Sequence, residues 1–549
     1  MTTINDTFVN ALLADSAYVD LIASNFSGDN LTAALKGRMT PDLAKYVSDN
    51  FTVVSQVGGL ASSFDATVWR GNAGTPYAGQ IYVSMRGTQE GPDFVADADL
   101  ASFGLAHQQL VDMVNWWLRA TTPAFSPTGA PRAVAQMRTS GGSFYSAPLA
   151  RATGELTSVG AIKSVNGHSL GGYLATAFSR IFGAKWSIET VNTFNSAGFS
   201  KPATANIESG FNQIAQLIGP GIGLSGFPYS QNNYVSENGI NVTTNTWRPI
   251  GFQQYGALIE LFQEDGVQIT DFGISNHFIY KQTDLLALGN ALATLDTSVD
   301  LNRLYQLVKV GSNQMAASYE GVLDGVRKIF SSVTFTPTLI GDSTAGNTGP
   351  QPAARVSYQA NLTTLQNGTA FKAIAGKVAI STSGVGLAST ARTDFSSLLS
   401  LIALSPVALK AIAGNEAAVE SALRPAWSSA YTAWAADKAM TQTDRDAGKA
   451  TYTQSYLDDR AVMASWLVYR NALDNTQLTI SDANAGEQVF QDVGSLTTIR
   501  MGSAITGDSS RRQFLFGGSG ADPLSGGDRA DRLYGGAGND GCFQVGQRA

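Results

Sequence analysis

Ala161-Ile-Lys-Ser-Val-Asn-Gly167-His168-Ser169-Leu170-Gly171-Gly172 is the stretch that decides the fold. Ala161–Asn166 is a short, largely apolar run that predicts a strand, and it meets a glycine-rich turn. Beyond the turn Leu170, Leu174, Ala177, Phe178 and Ile181 recur on one helical face. The pentapeptide Gly-x-Ser-x-Gly is weak alone, but strand, tight turn and helix together are specific. A serine on a sharp strand-to-helix turn has its hydroxyl exposed, and glycines two residues either side relieve the crowding. Gly172 lets the helix pack closely on the sheet. Ser169 is the candidate nucleophile.

Working outward, residues 1–50 read as short helices, with Phe8, Leu12 and Leu13, then Leu31 and Leu35, at helical spacing. Strands are expected at Phe51–Val57, Ala66–Arg70, Gln80–Met85, Ser187–Phe194 and around Asn232–Ser236. Strands alternating with helices imply an α/β domain with a mainly parallel sheet over residues 1–300. Residues 301–505 form a helix-rich region, with the Gly-, Thr- and Pro-containing loop Ile340–Pro352 between helical stripes. Residues 506–549 hold a nine-residue repeat. Gly517-Gly-Ser-Gly-Ala-Asp522-Pro-Leu-Ser is followed by Gly526-Gly-Asp-Arg-Ala-Asp531-Arg-Leu-Tyr and Gly535-Gly-Ala-Gly-Asn-Asp540-Gly-Cys-Phe.

The base is found by chain order. Of three histidines, only His277 lies clearly beyond the nucleophile, in a break before a helix expected near Gln282. His168 adjoins Ser169 but is expected to face elsewhere as a packing or hydrogen-bonding residue. His107 starts the stripe Leu110, Val111, Val114, Trp117 and reads as structural. Glu237, in the turn after the strand ending at Ser236, is the first choice for the carboxylate that orients His277, with Asp265 and Asp271 as alternatives. At an earlier strand end Val83-Ser-Met-Arg86-Gly87-Thr88 offers Thr88 as an oxyanion donor beside the backbone N–H of Leu170.

The chain has 549 residues, 44% hydrophobic and 14% charged, with a net charge of −7. That length implies two or three domains. Mild acidity gives no electrostatic reason to expect nucleic-acid binding. With Cys542 as the single cysteine, an internal disulfide is impossible. The first residues lack the basic and apolar regions of a signal peptide, and no apolar run reaches the roughly 18 residues of a spanning helix.

Val83–Thr88 with Asp93 and Asp97, Val165–Gly172, Thr193–Gly198 and His277 together resemble the class 3 (fungal-type) lipase family. The carboxy-terminal repeats resemble the calcium-binding repeats-in-toxin kind. The resemblance implies an α/β-hydrolase domain, a helix-rich region and a short β-roll of nonapeptide repeats. It implies hydrolysis of lipid carboxylic esters through an acyl-enzyme, with Ser169 as nucleophile, His277 as base, and Thr88 and Leu170 as oxyanion donors. Where the family places its acid, this chain has Gly239; Glu237 lies two residues earlier. A phospholipase A, a polyester hydrolase, or a calcium-dependent surface protein on an inactive hydrolase scaffold are the alternative readings. Calcium is expected at Asp522, Asp531 and Asp540, with carbonyls of Gly518, Gly520, Gly527, Gly536 and Gly538 completing the shell. Such modules bind at about 10⁻⁴–10⁻³ M, so they fill outside the cell. The resemblance further implies secretion by type I export machinery, without a signal peptide, and work at a lipid–water interface. The apolar, glycine-hinged segment Phe211–Pro228 is a candidate lipid-contacting flap.

Overall fold

The computed structural model describes residues 3–87, 104–200, 203–219, 224, 230–237, 252–264, 277–312, 317–335, 351–473, 478–482, 488–492, 497–501, 505–507, 512–517, 521–527, 531–535 and 539–543. The chain divides into two compact units. One comprises Met1–Ala287 with Ile340–Ala360, the other Leu288–Leu339 with Asn361–Ala549.

The first unit is built on strands β1 (Phe51–Val57), β2 (Ala66–Gly71), β3 (Ile81–Met85), β4 (Ala133–Ser140), β5 (Ser143–Arg151), β6 (Ser164–His168), β7 (Thr190–Phe194), β8 (Phe199–Ser200), β9 (Gln231–Ser236), β10 (Phe252–Gln253) and β11 (Ala257–Leu261). Seven of them form one sheet in the order β1-β2-β3-β6-β7-β9-β11. β1, β2 and β3 pair antiparallel, and every pair from β3 to β11 is parallel. The central strands β3 and β6 are buried at every residue, as expected of a parallel sheet covered on both faces. Edge strand β1 alternates between buried and half-buried positions.

One covering helix is His107–Thr121, whose predicted stripe Leu110, Val111, Val114 and Trp117 is wholly buried. The Trp117 ring meets Phe178 edge-on at 4.8 Å and Trp186 at 5.5 Å, which ties this helix to Leu170–Trp186. At the amino terminus Thr3 and Asp6 form a reciprocal capping box that starts the helix Ile4–Ser16. That helix is buried over most of its surface and packs on β6, so it belongs to the core.

The sequence did not suggest the hairpin β4–β5, although its Gly141-Gly142 turn carries the usual signal. Both glycines have positive φ, 56° and 73°, as a two-residue hairpin turn requires. Half of the candidate flap is an ordinary core element. Phe211–Ile218 completes the helix Thr204–Ile218, with Phe211 and Ile214 fully buried. Most of the remainder of that segment, Ile222 included, lies outside the described residues.

The first unit does not run unbroken to residue 300. It takes back residues 351–360, where Arg355 pairs with Asp284 at 2.7 Å, both almost wholly buried. Gln359 Nε2 donates to the other Asp284 oxygen at 2.6 Å. Asp284 lies in the helix Ile279–Leu295, which begins two residues after His277.

The second unit carries helices, a two-stranded antiparallel pair (Val378–Thr382 with Val407–Ala411) and a short β-roll. In the roll, Arg512–Phe516 pairs parallel with Arg532–Tyr534, and Pro523–Ser525 with Gly541–Phe543. Phe514 opposes Arg532 and Leu524 opposes Cys542, so one coil takes two nonapeptides, one per sheet. Ile505, Leu515 and Leu524 fill its centre, with Leu533 packed against them. Parallel pairing begins ahead of the repeats, with Thr497–Met501 beside Arg512–Phe516. Among the described residues no helix is long and apolar enough to cross a membrane.

Removing one partner of a buried ion pair strands the other charge and costs about 3–5 kcal/mol. Arg355→Ala should lower the unfolding free energy of the first unit, read from its urea transition, by that amount, and Arg355→Met with Asp284→Leu should recover most of it. A loss below about 1 kcal/mol in the single variant would mean that Asp284 finds another partner or a proton.

Candidate active site

Two neighbouring parallel strands deliver the site. His168 of β6 and Phe194 of β7 are paired in register at their last positions. The residue after each, Ser169 and Asn195, has positive φ, 56° and 41°. For non-glycine residues such a backbone costs on the order of 1–3 kcal/mol and persists only where the surroundings fix it. They do so here. Ser169 N–H donates to the Phe194 carbonyl at 3.0 Å, and the Ser169 carbonyl accepts from Gly172 and Ala197, each at 3.0 Å. A Cβ on Gly171 would strike the Met85 carbonyl, and one on Gly167 would strike the Gly171 carbonyl, so both glycines are required by close approach. The turn between β6 and helix Leu170–Trp186 is the one expected.

His277 Nε2 lies 3.0 Å from Ser169 Oγ. Both residues are partly buried. Burial lowers the His277 pKa to about 4, so at neutral pH the ring is uncharged and free to take the hydroxyl proton. In that tautomer Nδ1 carries the other hydrogen. Nδ1 is buried and has no hydrogen-bond partner among the described residues.

Glu237 does not fill that place. Ser236 faces Asn195, Gln263 and Gln282, which its hydroxyl bonds, and Glu237 falls on the opposite face, one position beyond the strand, where it is exposed. Its backbone N–H donates to the Leu261 carbonyl at 3.0 Å. Asp265 and Asp271 lie outside the described residues, as does Thr88. The chain leading to Thr88 does reach the nucleophile. A Cβ on Gly87 would come within 2.6 Å of the His168 carbonyl oxygen and 2.9 Å of Ser169 Cβ. Arg86, one residue earlier, is nearly buried and paired with Asp65 and Asp20, which fixes this strand end. Burial, opposed by Arg86, raises the Asp65 pKa to about 6. Leu170 is the first residue of its helix, where backbone N–H groups lack intrahelical acceptors and the helix dipole favours negative charge.

Three residues, His168, Tyr18 and Asn195, hold the base in place, His168 in the hydrogen-bonding role expected of it. His168 Nε2 lies 2.7 Å from the His277 carbonyl oxygen. A carbonyl only accepts, so Nε2 carries the hydrogen and His168 Nδ1 must accept in turn. It does so from the Tyr18 hydroxyl at 2.7 Å. Burial, with His277 close by, drives the His168 pKa well below 6.5, and burial pushes that of Tyr18 up to about 12, so both stay neutral. Asn195 Nδ2 donates to the same His277 carbonyl at 3.0 Å, while its Oδ1 accepts from the Ser236 N–H at 2.9 Å. His107, by contrast, is buried against Phe144 at 5.2 Å between ring centroids.

In the roll, Asp522 and Asp531 are buried and Asp540 is half-buried. Each carboxylate bends over the first glycine of its own repeat, at Gly517, Gly526 and Gly535. Asp531 accepts from the N–H groups of Gln513 and Gly527, and Asp540 from that of Asp522. A Cβ on Gly517 would strike the Gly535 carbonyl one coil later. Among the described residues, carboxylate and carbonyl oxygens border these cradles, hard donors that suit calcium, with the Cys542 thiol beside Asp540. No cluster of three or more His, Cys, Asp or Glu side chains occurs among the described residues, so the carbonyls must supply much of any shell. Gly527 is buried beside Asp531; Gly518, Gly520, Gly536 and Gly538 lie outside the described residues.

His168→Ala should lower kcat about 10²-fold, the scale of a 1 Å misplacement of a reacting group, with KM nearly unchanged. Tyr18→Phe, which removes one hydroxyl, should act in the same direction but less. Unaltered kcat in both would mean that Asn195 alone positions the His277 backbone.

Residues 516–543 match the RTX calcium-binding nonapeptide repeat model. No curated protein sequence matches the chain. Solved structures similar to it include the Lip2 lipase of Yarrowia lipolytica, at 14% identity over 47% of this chain and 79% of that one, with a TM-score of 0.25. A triacylglycerol lipase of Penicillium expansum has the same four values. The Rhizomucor miehei lipase propeptide complex follows at 18% identity, 48% and 68% coverage and a TM-score of 0.24. Residues 516–543 thus form a segment of RTX repeats, and the first unit carries Ser169 on the strand-to-helix turn of a mainly parallel sheet.

Proposed function

We propose that this protein is a serine hydrolase that cleaves carboxylic esters of lipids at a lipid–water interface, outside the cell that makes it. The 3.0 Å bond between Ser169 Oγ, on its strained turn, and the neutral His277 Nε2 carries the proposal. Ser169 Oγ attacks the ester carbonyl carbon as its proton passes to His277 Nε2. The oxyanion is received by the Leu170 N–H at the helix start and by Thr88. Collapse expels the alcohol, protonated by His277, and leaves Ser169 acylated. Water, activated by His277, then releases the acid and restores the serine. The unmet His277 Nδ1 calls for a carboxylate acceptor, and Asp265 or Asp271 is the group proposed for it.

Initial rates on p-nitrophenyl esters of graded chain length test this reading; phospholipid and polyester substrates separate its narrower versions. Ser169→Ala should abolish turnover by several powers of ten, because nucleophile and base act as a unit. Glu237→Gln should be nearly silent. Asp265→Asn or Asp271→Asn should cost a factor of about 10⁴ in kcat. In the variant that removes the acid, burial alone acts on His277, so the acid limb of residual kcat/KM should move down toward pH 4. A fully active Ser169→Ala protein would leave only an inactive scaffold.

Calcium is proposed to bind at Asp522, Asp531 and Asp540 with neighbouring carbonyls, and to complete the roll after type I export. Bound there, the ion would neutralise carboxylates that the roll buries. Within the same unit Asp459, on the helix Gln454–Leu473, accepts from Arg532 at 2.8 Å and from the Tyr534 hydroxyl at 2.5 Å. Chelating calcium should therefore speed hydrogen exchange in residues 505–543 and also along Gln454–Leu473, and restoring about 10⁻⁴–10⁻³ M calcium should reverse both. Identical exchange with and without calcium would refute the calcium-dependent roll.

A further inference from the structure

The helix-rich part of the second unit contains a pocket of about 310 Å³. Arg392, Lys438 and Arg445 line it, brought together from a loop, the helix Ser428–Ala439 and the short helix Gln442–Asp446. Elsewhere in the chain Arg38, Arg86, Arg327 and Arg355 each meet a carboxylate. These three cations meet none among the described residues. Arg392 Nη1 is held by Gln454 Oε1 at 3.2 Å, and Arg445 by Gln442 Oε1 at 3.4 Å and the Asp437 carbonyl at 3.3 Å. Lys438 Nζ sits 4.4 Å from the Trp434 ring centroid. Asp437, the one acidic residue in the lining, is already engaged, its two oxygens accepting the N–H groups of Thr451 and Tyr452 at 2.8 and 2.7 Å.

We infer that this pocket binds a phosphate ester. Two guanidinium forks anchored only by neutral oxygens keep free N–H groups for the planar, bidentate pairing that phosphate oxygens favour, and Lys438 adds a point charge. The buried Trp434 ring and the half-buried Tyr452 give the wall an apolar component for the carbon part of the ligand. Burial holds the Tyr452 phenol above its usual range, so its hydroxyl stays neutral as a possible donor. A volume of about 310 Å³ suits a glycerophosphate-sized group. The source is either a soluble phosphate ester or the headgroup of an anionic phospholipid. The site is remote in sequence from Ser169 and independent of the ester-hydrolase reading.

Calorimetric titration of the full chain with glycerol 3-phosphate, and co-sedimentation with phosphatidylglycerol or phosphatidylcholine vesicles, test the inference. Saturable binding of glycerol 3-phosphate, weakened at least roughly tenfold in Arg392→Gln/Arg445→Gln, supports it with a soluble ligand. Binding only to phosphatidylglycerol vesicles, lost in the same variant, supports it with a lipid headgroup. Neither ligand binding, or binding that the double variant leaves unaltered, overturns it. Because both arginines are on the surface of the pocket, the variant should keep the parent's melting temperature. Should it not, Lys438→Gln, at an exposed residue, repeats the comparison and must weaken binding in its own right.

Discussion

The active arrangement depends on a backbone constraint: two strained residues side by side at the ends of adjacent parallel strands. Ser169 and Asn195 both sit at positive φ, one residue beyond a registered pair. Neither conformation would persist in isolation. The three backbone bonds at Ser169 and the glycine contacts with the Met85–Arg86 strand end make any relaxed alternative collide with its neighbours. The strain therefore has a use: it lifts the hydroxyl of one residue and aims the amide of the other at the carbonyl of His277.

That carbonyl links the nucleophile to the rest of the unit. It accepts from two side chains, His168 and Asn195, which leave by different routes. Through His168 the chain of bonds runs to Tyr18, over whose ring the Arg38 guanidinium lies at 4.3 Å, and Arg38 pairs with the buried Asp15 at 2.7 Å. Through Asn195 it runs to Ser236 and across to Gln263 and Gln282. A buried polar network of this size is costly where any member lacks a partner and rigid where all have one. The imidazole of His277 is thus set by its own backbone, and the unmet Nδ1 is the point at which one further acceptor has to arrive.

How much of this was legible in the sequence follows from what each residue needs from its neighbours in the chain. Ser169 was legible because strand, glycines and helix are contiguous, and His277 because three histidines left one candidate in the right order. The aspartates of the roll were legible because a repeat displays its own alignment. Glu237 misled because a turn after a strand looks the same whichever way its side chain faces, and it is Ser236, one residue earlier, that shares a face with Asn195 and Gln282. Tyr18 and Arg355 carry no local signature, and Asn195, though within the quoted stretch Thr193–Gly198, does not announce its role. Those roles exist only once residues 71 to 150 positions apart are brought together. The return of residues 351–360 to the first unit was hidden for the same reason: a buried arginine is read from its partner, and Asp284 lies 71 positions away, across a stretch that belongs mainly to the other unit.

The second unit shows the same dependence on distant partners, with charge in place of strain. Asp522 and Asp531 are buried in a roll whose hydrophobic centre is only a few side chains wide, too small to offset the desolvation of carboxylates unaided. Backbone N–H groups answer some of their oxygens, and Arg532, which lies next to Asp531, is turned away to Asp459 instead. The carboxylates of Asp522 and Asp531 lie against the first glycines of their repeats, and the repeat model that matches here is a calcium-binding one. A divalent ion is the economical remedy, since each carboxylate bends into a glycine cradle open to hard donors. On that reading the roll is stable only where the ion is plentiful, and its contacts through Asp459, Tyr456 and Arg460 pass that condition on to the helix Gln454–Leu473.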